Sequence, residues 1–173
     1  MKQYSLLVLF ICLSVSLFSS PLFSALPIDT AGITTVILVR HAEKGDDGTR
    51  NPDLNIYGAT RSQHLAQLLH QSDVVGVYST PFKRTQQTAQ PLAMALGLEV
   101  QEYPPLDLEA LDKLVQSHQG KTIVIVGHSN TVPTMANHLL GEEKLSQLGE
   151  TEYDKIFMVQ ISGDVKQLMT LSY

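Results

Sequence analysis

The sequence predicts an α/β domain: a three-layer sandwich with a mainly parallel central sheet and helices on both faces. Three observations lead there. The runs Thr34 to Val39 and Thr122 to Val126 are β-branched and almost continuously apolar, as strands buried on both faces should be. Segments of helical length alternate with such runs, the order that builds a parallel sheet through crossover connections. The chain has 173 residues, 43% hydrophobic and 17% charged, which gives room for one ordinary globular domain and little else.

Taken in order, Thr34 to Val39 is the first strand, followed by a polar loop from Gly45 to Asp53. Tyr57 to His70 carries Leu65, Leu68 and Leu69 on a short helical face. Val74 to Tyr78 is the second strand. Pro81 opens a helix that runs through Thr88 to Leu96, with a kink or restart expected at Pro91 and an end at Gly97. A short strand near Glu99 to Tyr103 precedes Pro104-Pro105, and a helix from Leu108 to His118 closes at Gly120. Thr122 to Val126 is the clearest buried strand, and a helix from Asn130 to Leu140 follows it. Ile156 to Ile161 and Gln167 to Leu171 read as two last strands joined through Ser162-Gly163-Asp164, a hairpin that adds an antiparallel edge.

Residues 1–25 read as a secretory signal preceding a domain at 26–173. Lys2 supplies the positive region, Leu6 to Phe18 is broken only by Ser14 and Ser16, and Pro21, Ser24 and Ala25 follow with a break and small residues. The apolar stretch is shorter than the roughly 18 residues that a membrane span needs, so cleavage is preferred over retention as an anchor, with no stable span afterwards. The expected location is periplasmic or secreted. Cys12, the single cysteine, falls inside this segment, so the processed chain would have no disulfide, thiol nucleophile or cysteine metal site. Losing Lys2 makes the processed chain more negative than the −5 of the whole sequence. Nucleic acid is therefore not an expected partner, because backbone binding needs a basic face. Any positive charge for an anionic ligand must be concentrated locally.

It is concentrated at strand ends, where ligands of open α/β sheets bind. The first strand ends in Arg40-His41-Ala42-Glu43, the second in Ser79-Thr80-Pro81-Phe82-Lys83-Arg84, and the one at 122–126 in Gly127-His128-Ser129-Asn130. Two histidines and two arginines from distant segments are thus expected to meet at one sheet edge. Arginine presents a planar, permanently charged fork to phosphoryl oxygens. An unprotonated imidazole nitrogen can attack phosphorus and form a covalent intermediate. Phosphoryl transfer asks the protein chiefly for alignment and charge stabilisation, and a helix starting near Asn130 would aim free amides at an anion.

Four segments resemble the histidine phosphatase superfamily, which includes the cofactor-dependent phosphoglycerate mutases. Val39-Arg40-His41-Ala42-Glu43 is similar to its arginine-histidine-glycine signature, and Asp53-Leu54-Asn55-Ile56-Tyr57-Gly58 to its leucine-threonine-x-x-glycine segment. Residues Ser79 to Ala89 resemble its serine-x-x-x-x-arginine-x-x-x-threonine-alanine element, and Gly127-His128-Ser129 its second-histidine motif. The matches occur in the family's order over about residues 34–135, and the small size is like that of compact bacterial members. The resemblance implies a phosphoglycerate mutase-like fold and a phosphatase acting on a small phosphorylated substrate. His41 would be the phosphorylated nucleophile, with Arg40, Arg84 and His128 around the phosphoryl group. The general acid would come from Glu109 or Asp107, and Glu109 is preferred because Asp107 also suits a helix N-cap. Ala42 and Asn55 depart from the family's glycine and threonine. No metal or organic cofactor is implied.

Other polar residues carry plainer expectations. Glu43 reads as an ion-pair partner holding an arginine, and Ser79 and Thr88 as supports for the loop and helix that present Arg84. His64, His70, His118 and His138 lack metal-ligand spacing, and Ser129 lacks the second glycine of a nucleophile elbow. The loop from Gly45 to Asp53 and the segment from Leu140 to Tyr153 should rim the mouth, where Arg50 could meet a second anionic group or simply face water. Two other functions fit the same residues: a non-catalytic phosphate- or anion-binding module, and a phosphoglycerate-type mutase. The mutase is disfavoured by the export signal and by the absence of the extra length such mutases use to enclose a bisphosphate. Oligomeric state has no sequence signature here.

Overall fold

A computed structural model describes residues 32–173; the signal expected at residues 1–25 lies outside the described residues. Six strands form one sheet in the order β3-β2-β4-β1-β5-β6. β1 (Thr34–Arg40), β2 (Val74–Ser79), β3 (Val100–Glu102) and β4 (Thr122–Gly127) are parallel, whereas β5 (Lys155–Ser162) pairs antiparallel with β1 and with β6 (Val165–Ser172). The antiparallel edge expected from the last two runs is therefore present. β1 is buried along its whole length, which is why its sequence is apolar without alternation.

Handedness places the helices. α1 (Ile56–Leu69) and α2 (Lys83–Leu96) carry the chain towards β3, and α3 (Leu108–Ser117) carries it back to β4. Right-handed crossovers running in opposite directions must lie on opposite faces. The core divides accordingly. Val36, Leu38, Ile123 and Ile125 pack with Leu111 and with Val132 and Met135 of α4 (Thr131–Leu140). Their neighbours Ile37, Val39, Val124 and Val126 pack with Leu65, Ala89 and Leu92 of α1 and α2. β1 and β4 are neighbours in register, Arg40 beside Gly127, yet the helices that follow them lie on opposite faces. That divergence opens a crevice at their carboxyl ends, the ordinary ligand position of this architecture.

Two details depart from expectation. α2 starts at Lys83, with Phe82 in extended geometry as its cap, rather than at Pro81. It also continues through Pro91 without a restart. Proline's φ suits a helix and costs one bond to the carbonyl four residues back, and burial of Ala89, Leu92 and Ala93 on the sheet holds the helix on either side of it.

Candidate active site

Each strand end contributes as its register dictates. Arg40 closes β1 on the α4 side of the sheet and is 4% exposed. Its Nη1 donates to the carbonyls of Gly149 (2.7 Å), Glu152 (3.1 Å) and Glu150 (3.3 Å), and its guanidinium lies 4.1 Å from the centre of the Tyr153 ring. His41, the next residue, is 5% exposed. Its Nδ1 lies 2.8 Å from the Ala42 carbonyl oxygen. A carbonyl can only accept, so Nδ1 carries the proton and Nε2 the lone pair.

His128 follows β4, with its ring centroid 5.4 Å from that of His41 and 5.1 Å from that of Phe82. The Arg84 guanidinium sits 4.6 Å from the Phe82 ring centre, and its Nη1 reaches the Arg50 carbonyl at 3.5 Å. Among the described residues, the buried Nε atoms of Arg40 and Arg84 have no acceptor. A buried cationic donor without an acceptor is costly, so each of these Nε atoms is free to donate to an anion.

Electrostatics keep both rings neutral. Burial, reinforced by His128, Arg84 and Arg40, lowers the His41 pKa to about 3 despite the opposing Ala42 hydrogen bond. Burial first, then Arg84 and Arg40, lowers that of His128 to about 4. Burial also lowers the pKa of Arg84, which still leaves it charged at any working pH.

The backbone around His41 is braced from α1 and α2. The Ala42 amide donates to Thr88 Oγ1 (2.9 Å), whose hydroxyl donates to the Arg84 carbonyl (2.7 Å). Glu43 forms the ion pair expected of it, with Arg61 as the partner at 2.7 Å; the hydrogen bonds to Arg61 hold its carboxyl below the usual range against the opposing effect of burial. Asn55 caps α1 by accepting from the Gly58 amide, so the departure from threonine keeps the cap. Ser79 donates to the Thr80 carbonyl, and Arg50 contributes backbone to the rim rather than a side-chain contact.

The structure thus gathers Arg40, His41, Arg84 and His128. It does not bring Glu109 to them by any hydrogen bond: that side chain is 80% exposed and paired with Lys113 at 2.6 Å. Asp107 caps α3 by accepting from the Ala110 amide. A carboxylate passed over in the sequence is Glu102, the last residue of β3, in register with Ser79 and accepting from Gln86 Nε2 at 3.2 Å. Its signal was available, since it ends a strand whose neighbour ends in Ser79-Thr80. Away from this edge, an open groove of about 540 Å³ lies between Gly32, Gly120, Gln116 and Ser162. It is at the amino ends of β1 and β4, beside the end of antiparallel β5, and holds none of the four residues.

In sequence, residues 36–107 match the histidine phosphatase superfamily (branch 1). The chain has the phosphoglycerate mutase-like histidine phosphatase fold. Phosphoserine phosphatase 1 of Hydrogenobacter thermophilus is 41% identical over 71 residues, 38% of this chain and 34% of that protein. The match therefore spans about a third of the relative's length. Among solved structures, phosphoserine phosphatase from Entamoeba histolytica, in complex with 3-phosphoglyceric acid, superposes with a TM-score of 0.64 at 20% identity, covering 81% of this chain and 97% of the other. A mycobacterial glucosyl-3-phosphoglycerate phosphatase gives 0.62 at 14% identity, covering 82% and 98%. At these identities the structural likeness establishes the fold.

Proposed function

We propose that the protein is a phosphatase that hydrolyses a phosphomonoester through a phosphohistidine on His41. The observation that carries this reading is the unprotonated Nε2 of a buried histidine, fixed by the Nδ1 contact to Ala42, beside two arginines with unpartnered buried Nε atoms. Nε2 attacks phosphorus and the bond to the leaving oxygen breaks. The phosphorylated ring keeps its Nδ1 proton and becomes cationic, and the Ala42 carbonyl and the phosphoryl charge offset that. Arg40, Arg84 and His128 stabilise the charge on the equatorial oxygens. Water then cleaves the P–N bond, releasing orthophosphate and restoring neutral His41. The leaving oxygen takes a proton from a carboxylic acid, and the water later returns one to it. Glu102 is the stronger candidate for this acid: both carboxylates are exposed, but strand register puts Glu102 beside Ser79 at the carboxyl end of β2, whereas Glu109 lies on α3 paired with Lys113.

The test is phosphate release from an aryl and an alkyl phosphate by the full chain. His41→Ala should lower kcat by about a thousandfold or more. Glu102→Gln should slow the alkyl ester by about a hundredfold or more and spare the aryl ester, whose leaving group needs no proton; Glu109→Gln should match the parent. Equal activity in His41→Ala would overturn the mechanism. Saturable phosphate binding without turnover would favour an anion-binding module, the reading consistent with no carboxylate hydrogen-bonded to either histidine. The sequence of residues 1–25 supports action in the periplasm or outside the cell, and recovery of the processed chain solely from the cytoplasmic fraction would count against it.

A further inference from the structure

His128 Nε2 lies 2.9 Å from Thr80 Oγ1, and Thr80 Oγ1 lies 2.9 Å from Thr85 Oγ1. Both threonines are buried, at 1% and 0% exposure. Thr85 Oγ1 also lies 2.8 Å from two carbonyl oxygens, those of Thr80 and Phe82. Carbonyls only accept, and a threonine hydroxyl has one proton. If that proton pointed at Thr80 Oγ1, the Thr85 oxygen would face two carbonyl oxygens with no proton between, a repulsive arrangement. The Thr85 proton therefore goes to the carbonyls, and Thr85 accepts from Thr80. Thr80 has then spent its own proton and can only accept from His128.

We propose that Thr80, locked by Thr85, is a positioning residue that fixes the proton of His128 on Nε2 and leaves the lone pair on Nδ1 before substrate arrives. The charged and titratable groups around this ring are Arg40 and His41 from the end of β1 and Arg84 from α2, and Phe82 packs against it edge-on. Among the described residues, Nδ1 has no hydrogen-bond partner. It is a base in waiting. A monoester entering as its monoanion can give its P–OH proton to Nδ1, leaving a dianionic phosphoryl group beside an imidazolium whose Nε2 proton stays on Thr80. The device couples proton capture to phosphoryl binding, where a ring with its proton on Nδ1 would offer a fixed hydrogen bond and no base. The kinetic consequence rests on the phosphatase reading; the proton position does not.

The experiment is nitrogen-15 NMR of the histidine-labelled full chain at neutral pH, with the His128 signals assigned by their loss in His128→Gln. The expected pattern is a pyridine-like Nδ1 and a pyrrole-like Nε2. Thr80→Val should mix or reverse the two and lower kcat by about tenfold, the worth of one hydrogen bond, with KM within about twofold. Thr85→Val should change the nitrogen signals in the same direction, and Thr80→Ser should restore both signals and rate. A protonated Nδ1 in the parent, or an unchanged tautomer in a folded Thr80→Val protein, would overturn the proposal. If no phosphomonoester turns over, the phosphatase reading fails and the nitrogen signals still decide this one.

Discussion

Thr88 joins the two halves of the site through a single hydroxyl. It accepts from the amide of Ala42, next to His41, and donates to the carbonyl of Arg84, and it is fully buried. Thr88→Val keeps the shape and strands a buried amide, a loss of about 1–3 kcal/mol. Chemical denaturation should read that loss, and kcat should fall with it, because the peptide that orients His41 is released from the helix that carries Arg84. Unchanged kcat in a destabilised protein would reduce Thr88 to a purely structural support, the role its sequence position first implied. Glu43 was legible as an ion-pair partner from its place beside Arg40-His41. The identity of that partner was not, because Arg61 comes from α1 and meets Glu43 only when α1 packs over the loop.

Among the elements, α1 is held close by the absence of a side chain. A Cβ on Gly58 would run into the Glu43 carbonyl oxygen and lie 2.9 Å from the Glu43 amide nitrogen. Those are backbone atoms that cannot swing aside, and they sit two residues from His41. Gly58→Ala should therefore lift the helix start off the loop, costing about 1–3 kcal/mol as an overpacked contact and most of the activity. Melting temperature and kcat measured on the same preparation would show both losses. A variant as stable and active as the parent would mean that the loop yields freely. The sequence placed this helix from its apolar positions, one residue late at each end, and the structure adds that Asn55 caps it. The sequence misplaced the start of α2 and expected a kink or restart at Pro91, because local rules for proline do not register the burial that keeps the helix continuous.

For the whole molecule, two neutral buried histidines make stability depend on pH. In the unfolded chain each titrates at its ordinary value of 6.5, whereas in the folded protein His41 titrates at about 3 and His128 at about 4. Below pH 6.5 the unfolded state binds more protons than the folded one, so acidification favours unfolding. Each pH unit fully inside that window costs at most about 1.4 kcal/mol per histidine. The expected outcome is a denaturation midpoint that falls as pH drops from about 6.5 towards 4, with a shallower fall in His41→Phe. An equal slope in the variant between about pH 6.5 and 5 would count against a neutral His41, because carboxylates such as Glu43, whose lowered pKa acts in the same direction, enter only as pH falls towards 4.5 and below. A bound phosphoryl group would oppose the trend, because its charge favours the protonated rings.

The sequence by itself determined the class of fold and the three polar strand ends. Uninterrupted β-branched runs can be satisfied only by strands covered on both faces, and a parallel sheet covered by helices delivers its loops to one edge. It also supplied the chemical types, since arginine and histidine suit phosphoryl chemistry whatever surrounds them. Tertiary structure decided what those side chains do. The crevice between β1 and β4 follows from crossover direction and strand order, which no local pattern encodes. Burial made the histidines neutral, and partners dozens of residues away, such as Thr80 for His128 and Thr88 for Ala42, set their protons and orientation. Glu102 was passed over for Glu109 for the same reason. In the chain Glu102 ends the short strand and Glu109 lies just beyond it, and it is the pairing of β3 with β2 that sets Glu102 beside Ser79 while α3 pairs Glu109 with Lys113.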